Sequence, residues 1–383
     1  MSFTTRNHYV PQWYQYLFIP PGLREKKFFY LDKDPEKRPL PGGRYYFRDA
    51  CRRLGPINCF MQDHLYTLIF GEQASDIVEK SFFGKIDETG AGVIGAIAEY
   101  DPHTIPRNGL SDFTRYLDAQ KLRTPKGLDY LRRLTRSGSH QEVLYAMRQL
   151  WQVHATIWTE GVWEILQCDN TETKFIISDH PVTTYNRELF PLAIPCRYPL
   201  DAPIELLGTH TIFPLKLNRC LVITNLGYVR NPRVNPCKER ENSRYFENTI
   251  KDIRKIQTGR QLSESEVCAI NYIIKTRAKR YVAAADEEWL YPEHHLKTTM
   301  WNKLGDRFFL MPDPRKVSFS TGIFIGGKDG SSWATDEYGR PVRDDDPQVE
   351  KLRDKEWDTF QKAKQAWDQK FGKLTRDEMV RYF

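Results

Sequence analysis

Near the middle of the chain, three polar residues follow directly on a short apolar run. Residues 175–177, Phe-Ile-Ile, are aromatic or β-branched and predict a strand that is buried on both faces. Ser178, Asp179 and His180 come next, and Pro181 ends the strand because it has no N–H to donate. A carboxylate and an imidazole on a rigid strand end are suited to acid–base chemistry. The same residues are also typical of a turn, so both interpretations stay open.

A second histidine lies close to the N-terminus, where the chain enters the fold. His8 and Tyr9 precede Pro11, which fits the first turn of a helix. Trp13 and Leu17 then recur at helical spacing and should face a core. This arrangement would hold His8 beside the indole and phenol groups as a candidate base. A histidine that only caps the helix start is the alternative.

The sequence contains no established catalytic motif. His-Glu-x-x-His, Gly-x-Ser-x-Gly, the dinucleotide-binding glycine pattern and paired Cys/His metal spacings are all absent from it. What remains is a dispersed set that offers a general base, carboxylates for a proton or a metal, and a guanidinium for an anion: His8, Gln12, Glu79, Glu88, Arg123, Asp179 and His180. Hydrolysis of a phosphodiester requires these groups. A buried salt-bridge network around Arg123 is the structural alternative.

The elements that must position these residues predict an α+β fold, mainly helical, with one small mixed β-sheet and a C-terminal extension. The sheet is expected to consist of short β-branched runs at residues 175–178, 210–213, 220–224 and 281–285. Capping boxes at Ser139 and Ser263 each predict a helix start. The helices are expected over residues 61–100, 111–122, 126–136, 140–161, 241–257 and 264–279.

The two ends of the chain have patterns of their own. Residues 20–60 predict an irregular arm with short strands at 27–31 and 44–47, and a hairpin between these strands is one arrangement. Residues 300–383 are predicted to extend a core domain of residues 1–299. This extension has a strand at 317–325 and an amphipathic helix at 347–371, with an aromatic stripe of Trp357, Phe360, Trp367 and Phe371. We expect the stripe to cover the chain's own core, and a partner is the alternative.

Composition limits the compartment and the partners. No apolar run approaches the roughly 18–20 residues that would span a bilayer, so no membrane partner is expected. The N-terminus has no apolar signal core, and the seven cysteines form no Cys-x-x-Cys pair, which together predict a cytoplasmic protein. The net charge is +7, with basic clusters at 52–53, 132–136 and 275–280. This charge permits a nucleic-acid partner without requiring one.

Short motifs in a fixed order make the chain similar to a known family. The opening Asn-His-Tyr-Val-Pro-Gln at residues 7–12 resembles that of the bacterial domain-of-unknown-function family 4238. Later motifs follow in the order that the family has, at residues 78–80, Glu88, 122–125, 178–181, 212–215 and Asn271. The resemblance covers roughly residues 6–285. Because the family has no settled activity, the resemblance mainly indicates which residues to suspect.

The leading prediction is a hydrolase that cleaves nucleic acid, a nuclease with RNA slightly favoured over DNA. Its catalytic residues would be His8, Gln12, Glu79, Glu88, Arg123 and Asp179, and a divalent metal is compatible with the carboxylates although its identity is unknown. The resemblance implies a toxin-like effector of bacterial antiviral defence, with a protein partner in that system. The alternative is a non-enzymatic sensor or binding module for a small anionic ligand or a protein partner.

Overall fold

The structure is a computed structural model of the 383-residue chain. It describes residues 5–42, 44–70, 73–100, 104–105, 109–241, 243, 255–319, 323–326, 328–335 and 346–380. Within these ranges the strands form two four-stranded sheets and four two-stranded ladders, and every ladder is antiparallel.

The strands are short, and each has the following bounds: β1 Arg6–His8, β2 Phe28–Asp32, β3 Lys37–Pro39, β4 Tyr45–Phe47, β5 Cys51–Leu54, β6 Met61–Asp63, β7 Leu68–Phe70, β8 Gln73–Ser75, β9 Val162–Gln167, β10 Ile177–Ser178, β11 Thr183–Asn186, β12 Thr209–Lys216, β13 Arg219–Thr224, β14 Tyr281–Ala284, β15 Ile323–Gly326 and β16 Ser332–Thr335.

The helices lie mainly between and after these strands, with the following bounds: α1 Gln12–Tyr16, α2 Gly84–Glu99, α3 Gly109–Leu122, α4 Pro125–Thr135, α5 His140–Leu150, α6 Ala155–Thr159, α7 Leu226–Arg230, α8 Glu264–Arg277, α9 Pro347–Phe371 and α10 Arg376–Val380. A π-helical segment, Val78–Phe83, precedes α2. The capping boxes predicted at Ser139 and Ser263 are confirmed at the starts of α5 and α8.

The predicted fold class, mainly helical with one small mixed sheet, is wrong. The described part of the chain is a mixed α+β structure with several separate small sheets. Much of the difference lies in residues 61–75, which were expected to be helical. There β6 pairs with β1, and β7 pairs with β8. Phe60 and His64 on either side of β6 have positive φ angles of 49° and 57°, a left-handed conformation that a right-handed helix does not accommodate.

The expected single sheet is divided in two at residues 179–182. The first sheet has the order β10-β14-β2-β5, and the second has the order β11-β12-β13-β9. The chain leaves the first sheet after Ser178 and enters the second at Thr183. Because Pro181 cannot donate to a ladder, β10 does not continue into β11. The stretch 179–182 is therefore the crossing between the two sheets.

Helix α8 lies in the core and supports the segment that leads into β10. Asn271 on this helix accepts a hydrogen bond from the Ile176 amide at 3.2 Å and donates one to the Lys174 carbonyl at 2.8 Å. Its side chain thus replaces a neighbouring strand for these backbone groups. These two hydrogen bonds satisfy the buried amide group of Asn271 and give this residue a structural role.

The predicted long helix over residues 140–161 is interrupted. It ends at Leu150, and α6 begins at Ala155. Between the two helices, Gln152 has a positive φ of 78°, which ends the α-helical ladder. The amide and Nδ1 of His154 contact Asp118 at 3.3 and 2.7 Å. His154 is therefore a satisfied core histidine.

The N-terminal arm does not form the hairpin considered from the sequence. Strand β2 pairs with β5 and β14, whereas β4 pairs with β3 in a separate two-stranded hairpin. The helix expected over residues 241–257 falls largely outside the described residues. The boundary between a core domain of residues 1–299 and an extension of 300–383 stays a prediction, although Trp301 already belongs to the main hydrophobic core.

The C-terminal helix α9 packs two residues of its aromatic stripe against the rest of the chain. Phe360 is fully buried, and Trp367 contacts Phe308 edge-on with ring centroids 4.8 Å apart. Trp357 and Phe371 stay partly exposed. The stripe therefore covers part of the chain's own apolar surface.

The packing of α9 predicts unequal effects of two aromatic truncations. Phe360→Ala should lower the free energy of unfolding by about 3–5 kcal/mol, because it empties a fully buried site. Trp357→Ala should cost far less, because this indole is 44% exposed. Urea titration of both variants measures the difference. Equal losses would show that α9 is not docked through Phe360.

Candidate functional site

Asp179, the acid at the end of β10, is already occupied by the backbone. Its carboxylate accepts hydrogen bonds from the amides of Lys279, Arg280 and Tyr281 at 2.8, 2.6 and 2.8 Å. Burial raises the pKa of Asp179, and these three N–H donors oppose that rise. The carboxylate thus joins the crossing segment to the start of β14. This set of bonds is a structural role for a residue that was predicted to be catalytic.

His8 and Gln12 lie together at the N-terminal entry. Gln12 Nε2 is 3.5 Å from His8 Nδ1, and His8 Nε2 is 3.1 Å from the Ile57 carbonyl oxygen. Burial lowers the pKa of His8, which favours the neutral imidazole at pH 7. Since Nε2 then donates to Ile57, Nδ1 is the nitrogen that remains as an acceptor.

Glu79 lies on the other side of β1. Successive side chains of a strand point to opposite faces, and Asn7 faces inward to hydrogen-bond Glu79, whereas His8 is only half-buried. Burial raises the pKa of Glu79 to about 7, although the Arg123 charge opposes the shift. The structure therefore separates the candidate base His8 from the candidate acid Glu79 by the strand itself.

Arg123 is enclosed by protein groups. Its Nη1 is 2.9 Å from Asp87 Oδ1, its Nε donates to Gln120 Oε1 at 2.7 Å, and its side chain is almost fully buried. The guanidinium also lies 5.2 Å from the centre of the Phe83 ring and 5.6 Å from that of Tyr116. These contacts link α2 to α3. They correspond to the salt-bridge network that was the structural alternative for this residue.

The six predicted residues thus fall into four places. His8 and Gln12 form one pair, Glu79 and Arg123 share a second cluster, Asp179 is bound to the backbone, and Glu88 is exposed on α2. Among the residues that the structure describes, no group of three or more His, Cys, Asp or Glu side chains is placed to hold a metal ion.

Two of the sequence motifs do meet, through His180 and Thr124. Thr124 Oγ1 lies 2.7 Å from His180 Nδ1, and His180 Nε2 lies 2.9 Å from Asp201 Oδ2. Burial lowers the pKa of His180 to about 3, so the imidazole is neutral at pH 7. Its Nε2–H donates to the Asp201 carboxylate, and its Nδ1 accepts from the Thr124 hydroxyl.

Asp201 is the centre of a cluster of cations. Lys121 Nζ and Lys126 Nζ lie 3.0 and 2.6 Å from its oxygens, and Arg277 Nη2 lies at 2.6 Å. Burial opposes ionisation of Asp201, but the neighbouring cations hold its pKa well below the usual range. We name this set the Asp201 cluster: Lys121, Lys126, His180, Asp201 and Arg277.

Four members of the Asp201 cluster, all except Arg277, line a pocket of about 260 Å³. Helices α3 and α4 supply its two lysines, and a proline-rich loop, residues 195–203, supplies Asp201 itself. His154 and Glu205 also line it. Two lysines and two carboxylates, Asp201 and Glu205, line the pocket, and Arg277, which is outside this lining, adds a third cation at Asp201.

The two lysines of this pocket have N–H groups that form no hydrogen bond with the described protein residues. Within the described ranges, the only hydrogen-bond acceptor for Lys121 Nζ is Asp201, and Lys126 Nζ has two acceptors, Asp201 and the Arg277 carbonyl. An ammonium group carries three N–H donors. Burial lowers the pKa of Lys126 to about 8, with Arg277 and Lys121 adding to the shift and Asp201 opposing it.

The sequence analysis identified His180 but missed Asp201, Lys121, Lys126 and Arg277. The two lysines flank the Arg-Thr-Pro step at residues 123–125, so their proximity to a singled-out motif was a usable signal. Asp201 and Arg277 lie in a proline-rich loop and in the last turn of α8. Neither position has a local pattern that indicates an ion pair across 76 residues.

A larger cleft of about 960 Å³ lies between α9 and residues 258–266 and 296–308. Its charged groups are largely paired with one another: Arg260 with Glu164 and Glu266, Arg315 with Asp313, and Lys370 with Asp306. The Asp201 pocket has the clearer excess of donors and is the stronger candidate site.

A comparison of this chain with protein-family models, with curated proteins and with solved structures found no match. The resemblance to family 4238 and the function that it implies therefore stay predictions. None of the helices that the structure describes is long and apolar enough to cross a membrane.

The raised pKa of Glu79 makes stability depend on pH. Its folded value of about 7 exceeds the roughly 4.3 of an unfolded glutamate, so the folded state binds the proton more tightly. Stability should therefore fall as the pH rises from about 4.3 to 7. Glu79→Gln has a side chain that stays neutral. The thermal midpoint of this variant, relative to that of the parent, should therefore rise between pH 5 and pH 8.

Glu88→Gln is the matched control for this measurement, because Glu88 is an exposed carboxylate on the adjacent helix. Its midpoint should differ from the parent's by the same amount at each pH. A Glu79→Gln difference that is likewise constant from pH 5 to 8 would contradict the buried, protonated carboxyl.

Proposed function

We propose that the protein is a binding module, without catalytic activity in this pocket, for a small anionic ligand that carries a phosphate or a similar group. The observation that supports this proposal is the surplus of buried lysine donors around one carboxylate. Lys121 and Lys126 face a pocket of about 260 Å³, and Asp201 accepts from both of them.

Electrostatics favour an anion in this pocket. A buried cation without a counter-charge is costly, and one positive charge remains when Lys121, Lys126 and Arg277 are counted against Asp201 and Glu205. The lowered pKa of Lys126 has the same meaning, because burial and neighbouring cations make its protonated form less favourable. A bound anion would relieve both effects. Lysine is a common phosphate ligand and acts there as a point charge.

The size of the pocket limits the ligand to a small molecule. A volume of about 260 Å³ lies just below the roughly 300–1,000 Å³ that is usual for ligand pockets. Proline residues 195, 199 and 203 frame one side and reduce the freedom of that loop. A phosphorylated sugar or a free oxyanion fits these limits, and a nucleic-acid strand does not.

Chemistry in the pocket supports binding over catalysis. A general base needs a pKa near the working pH, and burial holds the pKa of His180 at about 3. Both of its ring nitrogens are also engaged, by Thr124 and Asp201. His180 therefore orients the carboxylate and does not accept a proton at neutral pH.

The cytoplasmic location also belongs to this proposal. All seven cysteines are free thiols, and five of them are buried. Unpaired cysteines in such number support a reducing compartment. A role in bacterial defence and a protein partner in that system rest on the family resemblance alone and remain predictions.

Oxyanion binding should stabilise the folded chain. Phosphate or ribose 5-phosphate, added at constant ionic strength, should raise the thermal midpoint, since a ligand at a hundred times its Kd stabilises by about 2.7 kcal/mol. Lys126→Met and Lys121→Met should each remove most of this gain, because they delete the donors. Scanning fluorimetry with calorimetric titration of the same ligands gives the measurement.

Lys303→Met is the control, because Lys303 is an exposed lysine outside the pocket and its variant should respond as the parent does. An equal response from Lys126→Met would contradict the proposal. Metal-dependent cleavage of RNA or DNA by the parent, lost in His8→Ala, would instead support the nuclease prediction.

The pKa of Lys126, about 8, predicts how binding depends on pH. Sulfate does not titrate in this range, so the protein alone sets the dependence. An anion raises the pKa of Lys126 on binding, so sulfate affinity should be highest below pH 7 and should fall through pH 8–9 with proton uptake. Lys126→Arg, which stays charged, should bind sulfate without this decline. A parent affinity that is constant from pH 6 to 9 would exclude Lys126 from the site.

A further inference from the structure

The β3–β4 hairpin of the N-terminal arm has no core on either face. All six residues of its two strands are exposed, and Lys37 lies opposite Phe47 and Pro39 opposite Tyr45 in the ladder. Because side chains alternate across a strand, Tyr45 and Phe47 share one face with Lys37, and Arg38 and Tyr46 share the other. Two-stranded hairpins are marginal by themselves and gain stability from a partner.

Three consecutive aromatic side chains on this hairpin are in solvent. Tyr45 is 66% exposed, Phe47 57% and Tyr46 43%. A contiguous exposed apolar surface that is bordered by charge is typical of an interaction site. The rings of Tyr45 and Phe47 are two positions apart on β4, so both are available to stack with the flat groups of a ligand.

Basic residues flank these rings in the sequence. Residues 36–48 include four basic residues, Lys37, Arg38, Arg44 and Arg48, against the single acid Glu36. Arg38 pairs with Glu36 at 3.5 Å. Lys37 Nζ lies 5.3 Å from the centre of the Phe47 ring, which places a cation beside a stacking surface. Positive charge beside exposed aromatic rings is the pattern that proteins use to hold single-stranded nucleic acid.

The other basic clusters of the chain differ in their partners. Arg132 is paired with Asp129, Lys275 with Glu293, and Arg280 with Asp32. Arg277 belongs to the buried Asp201 cluster. The charges of these four residues are compensated within the protein. The hairpin keeps both its charge surplus and its aromatic rings in solvent, so charge complementarity favours a polyanion there.

We propose that the β3–β4 hairpin binds single-stranded nucleic acid, with bases stacked on Tyr45 and Phe47 and phosphates held by Lys37, Arg44 and Arg48. Stacking accepts any base, so the hairpin binds with little sequence preference. The site is separate from the Asp201 pocket and does not depend on the function proposed for it.

Fluorescence anisotropy of the full chain with labelled dodecamers of uridine and of thymidine tests the proposal. The parent should bind with a Kd that rises steeply with KCl concentration. Tyr45→Ala with Phe47→Ala should weaken binding by about tenfold or more, because each stacked base is lost, and should leave the salt slope unchanged. Lys37→Gln with Arg44→Gln should reduce the slope of log K against log salt by about 1.4. Tighter binding of uridine would identify RNA, and tighter binding of thymidine DNA.

Tyr145→Ala is the matched control, because Tyr145 on α5 is also 66% exposed and lies outside the hairpin. It should bind as the parent does. All the hairpin positions are exposed, so circular dichroism should show folded variants. Three results would overturn the proposal: no salt-dependent binding by the parent, equal binding by the Tyr45/Phe47 variant, or equal competition by polyglutamate. The last result would assign the surface to an acidic protein.

Discussion

The carboxylate of Asp179 holds the fold together at the point where the two main sheets part. It accepts three consecutive backbone amides, from Lys279 to Tyr281, and so joins the end of β10 to the start of β14. Removal of this acceptor would leave three part-buried N–H groups without their partner, and an unsatisfied group costs about 1–3 kcal/mol where it is fully buried. The neighbouring residue, His180, can reach Thr124 and Asp201 only because this crossing is fixed. The structural role of Asp179 is therefore the condition for the pocket beside it.

Asp201 organises the second layer of the site in a different way. It draws two lysines and an arginine from three helices to one carboxylate, with His180 as a neutral donor. Burial of so many charges is costly unless the geometry satisfies them, and replacement of such groups by apolar residues is often neutral for stability. A cluster with more cations than carboxylates is thus a poor means of stabilising a fold. Its position beside a pocket accounts for this surplus of cations, because an anion bound there would neutralise the remaining positive charge.

Sequence reasoning succeeded where a signal is local and failed where it is not. The capping boxes at Ser139 and Ser263 and the helix at 347–371 follow from spacing within one or two turns, and the structure has them. The two-sheet arrangement does not follow, because β2 and β14 are paired across about 250 residues and nothing in either strand specifies its partner. The site divides in the same way. His180 stands out by its place at a strand end, whereas its partner Asp201 becomes significant only when α3, α4 and α8 converge.

The positive charge of the chain is distributed between two environments with different physics. In the Asp201 pocket, lysines are buried and rigid, so their field is little screened and their selectivity comes from size and donor geometry. On the β3–β4 hairpin, the charges are exposed and are screened within about 8–10 Å, so they act on a polyanion that offers many charges at once. A single small anion would gain little from the hairpin, and a strand cannot enter the pocket. The two surfaces therefore suit different ligands although both carry lysine, because burial and not residue type decides what a cation can select.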